Sequence, residues 1–161
     1  MSRSGFQLEI PGWGFLHLLH AVFDLNGTLA LDGVLTEGVR ERLRRLQHVL
    51  SVHIITADTH GTAATLVQGC GDLDIVRIQA GDEALQKSGF VEKLGPQQTV
   101  ALGNGANDVL MLRQARLGIC VMNGEGTALR ALLASDILVR SAEEALDLLL
   151  QANRMCATLR S

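Results

Sequence analysis

Val22-Phe23-Asp24-Leu25-Asn26-Gly27-Thr28-Leu29 is the stretch whose reading decides the fold. The apolar run that begins at Leu18, broken only by His20, ends abruptly in a carboxylate. An amide, a glycine and a threonine follow. This reads as a buried strand whose carboxyl end carries Asp24 to solvent, with Gly27 free to make a tight turn and the Thr28 hydroxyl close behind. Asn-Gly is also a common turn dipeptide, so the same residues would suit a plain strand-ending turn. What separates the two readings is a second acidic, glycine-rich loop far downstream, Gly103-Asn104-Gly105-Ala106-Asn107-Asp108. In an open α/β sheet, chemistry gathers at the carboxyl ends of strands.

Working outward, strands alternate with helices. After the loop Leu29 to Leu35, Thr36 is placed to cap a helix, and Val39, Leu43, Leu46 and Leu50 fall on one face of it at i, i+4, i+7 and i+11. Arg40, Arg42, Arg44 and Arg45 lie on the opposite side, where such clusters are usually solvated but could bind a phosphate or a partner. Further strands are predicted over 52–56, 74–79, 99–102, 117–122 and 137–139. Helices are predicted after Asp58 or Thr59, over 83–94, after an Asn107 cap, after Thr127, and from the capping sequence Ser141-Ala142-Glu143-Glu144. The pattern predicts an α/β fold: a three-layer, doubly wound, mainly parallel sheet. Residues 1–161 read as a single domain, with residues 1–20 added as an edge hairpin: Gln7 to Ile10 alternates polar and apolar, Pro11-Gly12-Trp13-Gly14 marks a turn, and Phe15 to His20 either pairs with the first strand or runs on into the Asp24 strand.

Composition narrows the function. The chain has 161 residues, 47% of them hydrophobic, but only one Trp, four Phe and no Tyr, so the core is aliphatic and no aromatic platform for single-stranded nucleic acid is available. A net charge of −3 gives no basic footprint for nucleic acid or an anionic membrane. No apolar run reaches the roughly 18 residues that span a bilayer. Cys70, Cys120 and Cys156 fit neither a disulfide framework nor zinc spacing, which points to a reducing, cytoplasmic compartment.

In a parallel sheet Asp24, Thr56 and the loop 103–108 share one edge, provided their strands are neighbours. A phosphate ester at that edge would meet Asp24 as nucleophile, splitting a difficult hydrolysis into two steps through an acyl phosphate. Asp108 would be a second hard oxygen ligand for Mg²⁺, with Asn104 contributing through its carbonyl or a water. Thr56 and the N–H of Ala57 would hold the phosphoryl oxygens, and a lysine would neutralise the remaining charge.

Asp-x-Asn-Gly-Thr at 24–28, a strand ending in Thr56, a lysine, and Gly-Asn-Gly-x-Asn-Asp at 103–108 together resemble the haloacid dehalogenase superfamily of phosphohydrolases. The resemblance covers residues 20 to 140. The run from Lys87 through Val91, Leu94 and Val100 to Asn107-Asp108 looks most like the phosphorylation domain of P-type ATPases, while Asn26-Gly27-Thr28 and the ending Arg154 to Arg160 look like a soluble subgroup related to those pumps. The resemblance implies that Asp24 is phosphorylated and binds Mg²⁺, that the Asn26 backbone carbonyl and Asp108 complete the metal site with Asn104, and that Gly27, Thr56, Ala57, Lys87 and Asn107 surround the phosphate. Lys93 is the alternative site lysine.

Two residues depart from the family pattern. Asn26 stands where an aspartate usually shuttles the leaving-group proton, and Asn104 replaces an acidic ligand. Slow turnover is the expected consequence. No cap domain fits between the motifs, so the site should be open to a small phosphorylated substrate, a larger one, or a second copy of the chain. A phosphate-binding regulatory protein, or a phosphoryl-accepting partner of a P-type ATPase, remains the competing reading. His60 is placed either to donate a proton in place of Asn26 or to cap a helix. His17 and His20 read as sheet residues or as a metal pair, and Glu125 as a turn former near the same edge.

Overall fold

A computed structural model describes residues 3–58 and 60–161; the alternative helix cap Thr59 lies outside them. Six parallel strands form the central sheet: β3 (His20–Asp24), β4 (Ser51–Thr56), β5 (Asp74–Arg77), β6 (Thr99–Gly103), β7 (Leu117–Val121) and β8 (Ile137–Val139). Their order is β5-β4-β3-β6-β7-β8. The chain therefore starts at the centre, winds outward to β5, and returns to the other side of β3 to continue through β8. The point of reversal lies between β3 and β6, where a doubly wound sheet leaves a crevice at its carboxyl edge.

Strand alternation divides the core into two layers. Ala21, Phe23, Val52, Ile54, Val100, Leu102, Leu117 and Ile119 face one side, where they pack on α1 (Glu37–Leu46), α6 (Ala142–Leu150) and α7 (Ala152–Leu159) through Val39, Leu43, Leu146, Leu149 and Met155. Val22, Ile55, Ala101 and Cys120 face the other, against Val91 of α3 (Glu83–Leu94), Met111 and Leu112 of α4 (Val109–Gln114) and Ala131 of α5 (Leu129–Leu133). Each fully buried aliphatic side chain contributes about 1.5–3 kcal/mol. Near-continuous apolar strands are what a sheet covered on both faces requires. Asp24, two residues after Val22, faces the α3 side.

Three of the four arginines of α1 tie it to its surroundings. Arg42 bridges to Asp147 of α6 at 2.8 Å, Arg40 donates to the Gln68 carbonyl, and Arg44 donates to Glu37 and to the Gly69 carbonyl. Thr36 caps α1 by accepting the Val39 N–H.

The structure differs from the sequence-based expectations in three places. The N-terminal strands β1 (Phe6–Ile10) and β2 (Gly14–Leu18) pair as the expected hairpin, but in a two-stranded antiparallel sheet of their own, not as an extension of either main edge. Leu19 alone separates β2 from the central strand β3, and one residue spans too little to reach past two neighbouring strands. Asn107 does not cap the helix after it. A short 3₁₀ turn, Ala106–Asp108, precedes α4, and the Asn107 amide reaches Glu83 instead. A final helix, α7, follows α6 after an extended break at Gln151. His17 and His20 are strand residues, one of the two readings above; His20 and His53 bring their ring nitrogens within 3.2 Å, and His53 in turn meets Asp74 at 2.8 Å. This chain of polar groups lies toward the amino ends of the strands, away from Asp24.

Candidate active site

The carboxyl ends of β3, β4 and β6 surround a cavity of about 520 Å³ lined by Asp24, Asn26, Thr56, Ala57, Lys87 and Asn104, with Gly105, Asn107, Asp58, His60, Thr62 and Glu83 completing the wall. Beneath it lies an ion triplet. Lys87 Nζ donates to Asp24 Oδ1 at 2.6 Å and to Asp108 Oδ1 at 2.7 Å. Lys87 reaches this position because it shares the inward face of α3 with Val91 and Leu94, at i, i+4 and i+7. Lys93 falls on the other side of the helix and is exposed.

Asp108 is fully buried. Its Oδ2 accepts the N–H groups of Asn104 and Gly105, both at 3.0 Å, so the loop closes on its own last carboxylate. Gly103 makes this possible: a Cβ there would lie 2.5 Å from Asp108 Cγ. Gly27 has a φ of +79°, and a Cβ on it would meet the Asn104 amide at 2.6 Å. Thr28 Oγ1 sits 3.2 Å from both Asp24 Oδ2 and Asn104 Oδ1, and its one proton serves one of them at a time. Thr56 is buried at the end of β4, with its hydroxyl accepting the Asp58 N–H.

Burial, then the Asp108 carboxylate, push the Asp24 pKa up to about 7 against the pull of Lys87. Burial also acts against the Lys87 ammonium, yet the carboxylates outweigh it and hold its pKa above the ordinary value. With both carboxyls ionised, two carboxylates would face one ammonium, an excess of buried negative charge that the raised Asp24 pKa reflects. Such an excess is costly, and a bound cation would offset it. Among the described residues, no group of three or more His, Cys, Asp or Glu converges as a metal site. A cation would therefore be held by two carboxylates completed by amide or backbone oxygens, a hard donor set that suits Mg²⁺ in number and kind.

Of the residues singled out from sequence, Asp24, Asn26, Thr56, Ala57, Lys87, Asn104 and Asn107 meet around the cavity, with Asp108 reaching Lys87 from below. Gly27 lies in the turn, its carbonyl bonded by the Asn123 amide. Glu125 accepts the Asp32 N–H at 2.6 Å and ties down the loop after Thr28. Sequence reasoning passed over Glu83, which opens α3 and accepts from Asn107 at 2.7 Å. Its place at a helix start beside the cavity wall is a feature of packing, and nothing in its local pattern marks it.

The family model for haloacid dehalogenase-like hydrolase matches residues 83–144. The uncharacterized protein MJ0073 of Methanocaldococcus jannaschii is 41% identical over 92 residues, covering 55% of this chain and 99% of that protein. The chain belongs to the haloacid dehalogenase-like hydrolases. A probable phospholipid-transporting ATPase IM of Homo sapiens is 30% identical over 118 residues, which cover 73% of this chain but only 10% of the ATPase. The likeness to the pumps is thus a likeness to one segment of them. The fold matches that of 3-deoxy-D-manno-octulosonate 8-phosphate phosphatase from Moraxella catarrhalis, solved with magnesium, phosphate and KDO. The TM-score is 0.69 at 18% identity, over 89% of this chain and 94% of that one. This hydrolase has no helix, among its described residues, long and apolar enough to cross a membrane.

Proposed function

We propose that residues 1–161 act as one Mg²⁺-dependent phosphohydrolase working through an aspartyl phosphate on Asp24. The observation that carries this reading is the meeting of Asp24, Lys87 and Asp108 beneath an open cavity walled by Thr56 and Ala57.

In the proposed reaction a phosphomonoester enters with its phosphoryl group against Thr56, the Ala57 N–H and Lys87. An Asp24 carboxylate oxygen attacks phosphorus, the bond to the leaving oxygen breaks, and that oxygen departs with the electron pair. Water then attacks the acyl phosphate, releasing inorganic phosphate and restoring the carboxylate. Lys87 and the Thr56 hydroxyl hold the charge that builds on the phosphoryl oxygens, the kind of stabilisation that dominates phosphoryl transfer. Asp24, the Asn26 carbonyl, Asp108 and Asn104 would hold Mg²⁺, which when bound screens the repulsion between carboxylate and phosphate and polarises the phosphoryl group. Asp108 also keeps Lys87 aimed at Asp24.

Asn26 lines the cavity but its amide cannot give the leaving oxygen a proton. Without that general acid, alkyl phosphates with poor leaving groups react slowly, by a factor of about 10²–10⁴. Aryl and acyl phosphates, which leave without a proton, suffer less. The cavity mouth is open to a small phosphorylated compound, and equally to a larger one or to a second copy of the chain. The three cysteines are free, which fits the cytoplasm.

Hydrolysis of para-nitrophenyl phosphate by the purified chain, with and without Mg²⁺, tests the reading. Turnover should require the metal and vanish in Asp24→Asn. Undiminished turnover in that variant would overturn it.

A further inference from the structure

The turn Asn26-Gly27-Thr28 carries the Asn26 carbonyl and the Thr28 hydroxyl, yet its middle residue is a glycine at φ +79°, the residue type that loses most conformational freedom on folding. The loop after β7 grips this turn from outside. Asn123 donates its amide N–H to the Gly27 carbonyl, 96 residues away in the chain. Its Oδ1 accepts the Glu125 N–H at 3.0 Å. The two partners fix which way the amide points, because a flip would set oxygen against oxygen and N–H against N–H. Glu125 Oε1 accepts the Asp32 N–H at 2.6 Å, and a Cβ on Gly27 would stand 3.0 Å from Glu125 Oε2. The Asp32 N–H is free for this bond because Leu31 and Val34 close a hairpin on each other, at 3.0 and 2.9 Å, with Asp32-Gly33 as its left-handed tip.

The same loop reaches the second acidic loop. The Ala128 N–H donates to the Asn104 carbonyl at 2.9 Å, and Asn104 Nδ2 donates to the Gly126 carbonyl at 3.2 Å. Residues 123–128 therefore bond to both loops that would hold Mg²⁺, 24–28 on one side and 103–108 on the other, while none of them lines the cavity. Groups that orient a metal's ligands without touching the metal commonly set its affinity by about 10–100-fold.

We infer that Asn123 and Glu125 are positioning residues: they hold the Asn26–Thr28 turn, and with it the Asn26 carbonyl and the Thr28 hydroxyl, in one fixed geometry beside Asp24. Neither touches the substrate. The inference rests on the phosphohydrolase reading for what the turn does, and it adds two residues which that reading leaves out.

Isosteric changes test it. Asn123→Asp keeps the size and the acceptor for Glu125 but sets a carboxylate oxygen against the Gly27 carbonyl. Mg²⁺ affinity, read by calorimetry, should fall by about tenfold. At saturating Mg²⁺, kcat for para-nitrophenyl phosphate should fall with KM nearly unchanged. Glu125→Ala should lose affinity likewise, and Glu125→Gln, which keeps an oxygen for the Asp32 N–H, should recover most of that loss. Full Mg²⁺ affinity in Asn123→Asp at an unchanged melting temperature would overturn the inference. So would equal losses in Glu125→Gln and Glu125→Ala, since charge and not the hydrogen bond would then be at work. Should Asn123→Asp lower the melting temperature, the two variants of the exposed Glu125 decide on their own. Mg²⁺ binding without turnover in the parent would count against the phosphohydrolase reading alone. If the parent binds no Mg²⁺, hydrogen exchange over residues 25–32 decides: faster exchange in Asn123→Asp supports the grip on the turn, and equal exchange refutes it.

Discussion

Asp24 and Asp108, at the ends of two strands far apart in the chain, grip the same ammonium: Lys87 Nζ lies 2.6 Å from one carboxylate and 2.7 Å from the other. The three groups are nearly inaccessible to water, with Lys87 only 1% exposed. The lysine is thus a structural counter-ion before it is anything else, and the pair of carboxylates is one positive charge short.

Removing the cation and removing one anion should therefore have opposite effects. Lys87→Met leaves two carboxylates buried together, and the unfolding free energy should drop by about 3–5 kcal/mol. Asp24→Asn leaves one carboxylate per ammonium, so its urea midpoint should stay at the parent value or rise in metal-free buffer. Equal losses in both variants would show that the excess negative charge is not the controlling feature.

Restoring the acid at Asn26 should restore rate. Asn26→Asp is expected to raise kcat for an alkyl phosphate by about 10²-fold, within the range general acids supply. The gain for para-nitrophenyl phosphate should be much smaller, because nitrophenolate needs no proton to leave. Steady-state kinetics on both substrates measures the contrast.

The Gly103–Asp108 contact predicts a local failure. In Gly103→Ala the new methyl would fall on Asp108 Cγ, displacing the carboxylate from Lys87 and from the N–H groups of Asn104 and Gly105. Overpacking of this kind costs about 1–3 kcal/mol. Mg²⁺ affinity, read by calorimetry, should fall together with the melting temperature.

Asp58 sets an acid-side limit on stability. Its Oδ1 accepts the N–H groups of Thr62 at 2.8 Å and Ala63 at 3.2 Å, and so caps α2 (Ala63–Leu66). Burial presses its pKa upward, but these bonds, the Thr62 hydroxyl and Arg77 outweigh it, so the folded pKa lies below the ordinary carboxylate value of 3.8. Its contribution is therefore fully present above that value and is lost as pH falls through the lower folded value. The melting-temperature gap between the parent and Asp58→Asn should be constant from neutral pH down to about pH 4 and close toward pH 2. A gap that widens in acid would contradict the assigned hydrogen bonds.

Much of this site was legible before any coordinates. A strand that ends in a carboxylate is visible in Val22-Phe23-Asp24 because an apolar run stops at an acid within one residue, but Asp24 does not reach solvent as expected: it stays buried against Lys87. Lys87 is distinguishable from Lys93 by helical phase alone, since only the former shares a face with Val91 and Leu94. The helix Glu83–Leu94 has the limits that its flanking Gly95-Pro96 break predicts. The Asn107 cap was misread because Gly105 and Ala106 start a 3₁₀ turn first, and local sequence does not separate these two starts. Asp58 shows in the sequence as a helix cap, while its ion pair with Arg77 at 3.6 Å depends on how segments distant in the chain pack together.

The linear order of residues was enough to establish alternating strands and helices, two acidic loops at strand ends, an aliphatic core and the lysine that faces it, because periodicity and burial are local properties. Only the folded chain could decide that β3 lies between β4 and β6, that the N-terminal hairpin stands apart, and that Asp58 and Glu83 share a cavity with the triplet. Strand order and side-chain meetings follow from the packing of segments distant in sequence, and no local pattern encodes them.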